Sequence, residues 1–255
     1  MRMSTDKIAL VTGGSRGLGK NTALRLAERG HDVVLTYQSR QADAEAVVAE
    51  IRGKGRKAVA LALDTGKAGS FDGFATELSG RLRTEWDRGS FDFLINNAGI
   101  ERNAPIAATA EEEIDALYAV HFKGVYLLTQ KLLPHLSDGG RIVNFSSGLA
   151  RFSLPGYAAY GSLKAAVEAF TRYLAKELGP RRINCNVLAP GAIDTDFTRP
   201  GFDAHPGVRE AIASQTALGR IGEPDDIGGV VAFLCSEEAR WINGQRIEAS
   251  GGIFL

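Results

Sequence analysis

Cysteine is nearly absent: Cys185 and Cys235 are the whole complement. Two thiols make neither a disulfide framework nor a zinc site. Both lie in apolar stretches, so they are expected to be buried small hydrophobes in a reducing compartment. An excess of charge of either sign is also lacking, with 30 basic residues against 30 acidic. That removes the electrostatic basis for binding nucleic acid or an anionic membrane and leaves a small molecule as the expected partner. No run approaches the roughly 18 apolar residues of a membrane helix. The stretch before the first apolar segment is too short and polar for a signal peptide, so a soluble, cytoplasmic protein is expected. Glycine, by contrast, is plentiful at 30 residues, which suits tight turns and close backbone approaches.

The length of 255 residues suits one large domain whose core needs no covalent staples. Short apolar runs alternate with longer amphipathic segments. Strands are predicted at Lys7–Val11, Asp32–Tyr37, Lys57–Leu63, Phe91–Asn96, Arg141–Ser146, Ile183–Ala189 and Gln245–Ala249. Helices are predicted at Lys20–Arg29, with Gly30 as C-cap, and at Gln41–Gly53, Phe71–Trp86, Glu111–Leu136, Tyr157–Leu178 and Pro224–Cys235. Such alternation argues for right-handed βαβ units and a parallel sheet in a single α/β domain over residues 1–255. The polar stretch Arg81–Gly89 reads as a surface extension away from any site. Ile193–Gln215 reads as irregular.

After the first predicted strand comes Thr12-Gly13-x-x-x-Gly17-x-Gly19, with Ser15, Arg16 and Leu18 inside it. Strand, glycine turn and helix N-terminus together cradle a dinucleotide pyrophosphate. A tight turn without a ligand is the alternative. The second strand ends in Tyr37-Gln38-Ser39-Arg40, without the carboxylate that would hold the ribose hydroxyl of NAD. Arg16 and Arg40 instead favour the 2′-phosphate of NADP(H), whose oxygens match guanidinium forks, unless they are merely solvated.

Tyr160 and Lys164 stand four residues apart and share a helix face. A free tyrosine titrates near about 10. A neighbouring ammonium, joined by the positive nicotinamide of an oxidised cofactor, is expected to lower that value and make Tyr160 a proton donor and acceptor. Ser147 follows the fifth strand at the sheet edge where open α/β folds bind ligands. Alone, Tyr-x-x-x-Lys also arises on solvated helices.

In combination these motifs resemble those of the short-chain dehydrogenase/reductase family over nearly the whole chain. Asn96-Asn97-Ala98-Gly99 and Pro190-Gly191-Ala192-Ile193-Asp194-Thr195 resemble two further family motifs. Leu218–Ile227 and Ser250-Gly251-Gly252 are similar to β-ketoacyl-acyl-carrier-protein reductases and related bacterial ketoreductases. The resemblance implies a Rossmann-type, doubly wound, seven-stranded parallel sheet in three α/β/α layers. It implies hydride transfer between nicotinamide and a ketone, secondary alcohol or β-ketoacyl thioester, with Ser147 orienting the carbonyl and Tyr160 protonating its oxygen. It places Asp64 and Thr65 near the adenine and Asn96 near the adenosine ribose. Ala98 and Gly99 fall along the cofactor, Pro190, Gly191, Ile193 and Thr195 by the nicotinamide, and Lys164 on its ribose. It also implies a homotetramer, with Glu111–Leu136 and Tyr157–Leu178 in one interface and the C-terminal region in another.

One departure is His121, where the family usually carries Asn. Two readings are open: an imidazole that relays protons near neutrality, and a hydrogen-bonded buried histidine. Leu149, Arg151, Leu154 and Tyr157 are candidate pocket residues; Arg151 is either the charged partner of an anionic substrate group or a surface residue. Phe197, Phe202, Pro200 and His205 belong to an expected lid. A nucleotide-binding sensor without catalysis is the competing reading, to be separated from the enzyme by turnover.

Overall fold

The computed structural model describes residues 7–204 and 207–255. The expectation for His205 lies outside the described residues. Seven parallel strands form one sheet in the order β3-β2-β1-β4-β5-β6-β7. They are β1 (Ile8–Val11), β2 (Asp32–Tyr37), β3 (Ala58–Ala62), β4 (Phe91–Asn96), β5 (Leu136–Phe145), β6 (Asn184–Pro190) and β7 (Arg246–Ala249). Strand order reverses between β1 and β4, which opens a crevice at their C-terminal ends. The helices are α1 (Gly17–Glu28), α2 (Gln41–Gly53), α3 (Phe71–Trp86), α4 (Glu111–Tyr118), α5 (Val125–Leu132), α6 (Ala158–Glu177), α7 (Arg199–Ala204), α8 (Val208–Ser214) and α9 (Asp225–Leu234).

Helices cover both faces of the sheet, so the strands carry apolar residues without polar alternation. In β1, Ala9 and Val11 join a core with Leu26 of α1, Ile51 of α2 and Val231 of α9. Their neighbours Ile8 and Leu10 join the opposite core, with Phe71 and Leu78 of α3, Leu128 of α5 and Leu174 of α6. Truncating Leu10 to alanine would cost about 2–5 kcal/mol, because the side chain is wholly buried. Cys185 and Cys235 are both buried, one in each core, and burial pushes each thiol up to about 12.

Several expectations are corrected. The long helix predicted at Glu111–Leu136 is broken: α4 and α5 are joined by a π-helical turn, Ala119–Gly124. A 3-10 turn at Leu133–His135 then leads directly into β5. There a bulge opposite Phe91 and Phe93 lets the strand begin at Leu136 instead of Arg141. Arg81–Gly89 is no extension. It is the end of α3 and a turn through Asp87, whose φ is 53°. Trp86 Nε1 donates to Asp32 at 2.8 Å, and Arg88 pairs with Asp92 at 2.8 Å. These partners lie at the starts of β2 and β4, remote from the crevice. Ile193–Gln215 contains α7 and α8 and is therefore less irregular than expected.

Candidate active site

The crevice is a cavity of about 920 Å³ along the C-terminal edge of the sheet. The described site residues nominated from the sequence line it, except Thr12, Asn96, Arg151 and Pro200. Its floor is the turn from β1 into α1. Gly13 has φ 66° and Gly17 φ 53°, where an L side chain is strained. A Cβ on Gly19 would collide with the Gly13 carbonyl oxygen. The start of α1 has no side-chain cap and no acidic residue in its first turn, so its N–H groups are left to an anion. Thr12 closes the crevice floor: its hydroxyl donates to Ile95 O at 3.2 Å and accepts from the N–H groups of Asn97 and Ala98 at 3.0 Å each. Asn97 Nδ2 donates to Thr12 O at 2.8 Å.

Asn97, not Asn96, therefore faces the crevice. Successive strand residues point to opposite faces, and Asn96 turns into the sheet, donating to Asn144 at 2.8 Å and Thr129 at 3.1 Å. The placement of Asn96 beside a ribose is corrected accordingly. Tyr37, Ser39 and Arg40 line the far end beside Asp64 and Thr65. Arg16 and Arg40 converge on Asp196, at 3.4 and 3.7 Å. The two guanidinium groups converge on one point, where a 2′-phosphate would take the place of the Asp196 carboxylate between them. With the uncapped α1 turn, these residues fit a phosphorylated dinucleotide.

At the other end, α6 presents Tyr160 and Lys164. Lys164 is 5 % exposed, and its Nζ donates to Phe145 O at 2.9 Å. Burial pulls the ammonium down to about 7. The amine lies 5.5 Å from the Tyr160 ring centre. Burial pushes the Tyr160 phenol well above its usual range, against a hydrogen bond from Ser147 that lowers it. In the bare protein, without the nicotinamide charge that the expectation also called on, desolvation dominates. Ser147 follows β5, and its Oγ also accepts from Leu149 N at 3.2 Å, which fixes the hydroxyl at the crevice rim.

His121 sits in the π-helical turn with its ring edge-on to Tyr160, 5.1 Å between centroids. Nε2 lies 2.7 Å from Ile100 O and 3.3 Å from Ile100 N. One nitrogen cannot donate and accept at once, and the shorter contact assigns it the proton. Nδ1 is then a buried acceptor without a partner among the described residues. Burial, then the Lys164 charge, depresses the imidazole to about 3. It stays neutral at physiological pH, so titration near neutrality is corrected.

The substrate end is walled by Leu149, Leu154, Tyr157, Phe197 and Phe202, all on the cavity. Arg151 is corrected: it turns away to Glu248, at 2.7 and 2.8 Å, and to Ile253 O. Sequence reasoning missed Asn97, Glu101, Phe152, Asp196 and Phe254 on the same cavity. Of these, only Asn97, inside the glycine-adjacent motif, carried a signal.

Known proteins share this chain's sequence pattern and fold. A family model described as enoyl-(acyl carrier protein) reductase matches residues 13–253. A hydroxynaphthalene reductase-like protein of Metarhizium brunneum is 38% identical over 98% of this chain and 96% of its own. The 3-oxoacyl-[acyl-carrier-protein] reductase of Staphylococcus aureus is 37% identical over 99% of this chain and 100% of its own. The crystal structure of an angucycline C-6 ketoreductase with bound NADP superposes with a TM-score of 0.92 at 36% identity, covering 97% of this chain and 95% of that one. Likeness of this extent in sequence and fold leaves one assignment: the chain belongs to the short-chain dehydrogenase/reductase family and is an oxidoreductase.

Proposed function

We propose that the chain is an NADPH-dependent reductase of ketones carried on hydroxylated, fused aromatic rings. One observation carries the reading: a single cavity joins the Arg16–Arg40 pair to Ser147, Tyr160 and Lys164 and continues into an aromatic and aliphatic chamber. The hydroxynaphthalene reductase-like and angucycline ketoreductase relatives support it, since both names describe flat ring systems. The 3-oxoacyl-carrier-protein reductase favours a β-ketoacyl thioester as the second reading.

NADPH, when bound, supplies the hydride. The chain does the rest. The α1 N-terminus and the arginine pair hold the phosphates. Ser147 donates a hydrogen bond to the substrate carbonyl and fixes it beside Tyr160. Because its phenol is held above the ordinary range, Tyr160 stays protonated until negative charge grows on the carbonyl oxygen, and then gives up its proton. Lys164 stands behind the resulting phenolate. The apolar walls exclude water from the transfer.

The test is oxidation of NADPH, with NADH beside it, against aryl ring ketones, β-ketoacyl thioesters and simple β-ketoesters. Turnover is expected with NADPH on aryl ketones, falling at least about a thousandfold in Tyr160→Phe while NADPH binding persists. Preference for NADH would remove the role given to Arg16 and Arg40. Turnover confined to thioesters would favour the second reading. Cofactor binding without any turnover would favour a sensor.

A further inference from the structure

Among the described residues lining the substrate end of the cavity, Glu101 is the one carboxylate set against apolar walls; Arg16, Arg40, Asp64 and Asp196 belong to the cofactor end. Glu101 is half-buried, two residues beyond Gly99. Its Oε1 accepts from Asn103 Nδ2 at 2.9 Å and from the Tyr157 hydroxyl at 3.1 Å. Oε2 has no hydrogen-bond partner among the described residues, and Arg102, the adjacent cation, turns to the Glu101 main-chain carbonyl instead. The Tyr157 ring lies 6.5 Å from that of Tyr160. A carboxylate fixed by two donors, with one oxygen left open, therefore stands along the wall that leads to the proton donor.

We infer that Glu101, positioned by Tyr157 and Asn103, is a specificity residue that accepts a hydrogen bond from a ring hydroxyl of the substrate and repels ketones carrying an anionic group there. This rests on the aromatic-ketone reading above. The chemistry follows from the surroundings. A hydrogen bond to a carboxylate is stronger than one between neutral groups, and an apolar chamber screens it little. A methyl ether cannot donate, and its bulk leaves the carboxylate desolvated and unanswered. A second carboxylate placed beside Glu101 meets like charge there.

The experiment compares kcat/KM for tetralone, ring-hydroxylated tetralones, their methyl ethers and a carboxylated tetralone, using wild type, Glu101→Gln and Glu101→Ala with NADPH. Calorimetric binding of naphthol and methoxynaphthalene to the NADP-bound protein gives a readout free of turnover. Wild type is expected to prefer at least one hydroxylated tetralone over its ether by about tenfold, mainly through KM. Glu101→Ala erases that preference and the matching preference for naphthol. Glu101→Gln raises turnover of the carboxylated ketone about tenfold. Unsubstituted tetralone stays within about twofold of wild type throughout, because it makes no use of the carboxylate.

Tyr160-dependent turnover of tetralone with hydroxyl and carboxylate ratios unmoved by either variant would overturn the role of Glu101 alone. A uniform loss on every ketone, tetralone included, would also overturn it, since that marks a structural residue. If wild type neither reduces nor binds any aromatic member of the series, the aromatic-ketone reading fails, and this inference with it.

Discussion

Lys164 carries a conflict between stability and chemistry. Its ammonium is buried, has one hydrogen bond to Phe145 O, and is depressed to about 7. An unfolded lysine titrates near about 10.4. Between those values the unfolded chain binds a proton that the folded chain has released, so stability rises with pH across that window and the destabilisation is full below it. Lys164→Met is expected to abolish turnover yet raise the thermal midpoint by several degrees at pH 7, the gain shrinking toward pH 10. Calorimetric scans across that range check it, and a lowered midpoint at pH 7 would show that the bond to Phe145 outweighs desolvation. His121 acts in the opposite pH range: depressed to about 3, it withdraws stability as pH falls below the ordinary histidine value. Residues such as Tyr160, Lys164 and the glycines were legible because their meaning lies in local spacing. Arg151 was not, since its partner Glu248 is 97 positions away. Nor was the choice between Asn96 and Asn97, which turns on a single step of strand pleat.

The widened turn at Ala119–Gly124 shows what periodicity leaves out. Apolar spacing from Glu111 to Leu136 fits a continuous helix, and nothing local in it marks a break. The cause lies in another element: a Cβ on Gly124 would collide with the Thr65 carbonyl oxygen, on the loop after β3. That loop lines the cavity, as do His121 and Val120 from the turn itself. The turn therefore fixes the distance between the cofactor loop and the Tyr160 ring. Gly124→Ala is expected to destabilise by more than about 2 kcal/mol and to weaken NADPH binding together with turnover. Thermal scans and a binding titration check both effects. Unchanged binding would mean that the loop after β3 shifts freely. Elsewhere most element ends fell within a residue or two of expectation, because a sheet buried on both faces is written in uninterrupted apolar runs.

The surface of the whole molecule carries apolar groups that the monomer leaves uncovered. Tyr173 on α6 is 69 % exposed, and Tyr118 and Tyr126 flank the same region beside Phe122 and Phe170. Trp241, beside the start of β6, and Leu255, beyond the end of β7, are almost fully exposed. The tyrosine-rich face of α6 and the exposed Trp241 suit two separate interfaces, and we propose a homotetramer on that basis. Light scattering is expected to give the tetramer for wild type and a dimer for Tyr173→Arg or Trp241→Glu. A wild-type monomer would overturn the assignment. The two buried thiols bear on a different property. Quinone-like and enone compounds, the chemical neighbours of aromatic ketones, inactivate proteins by alkylating thiolates. With both thiols sealed in the cores and held at about 12, the chain offers such electrophiles no accessible thiolate. Activity should persist in air without added reductant, and the two cysteines should become alkylable only on unfolding.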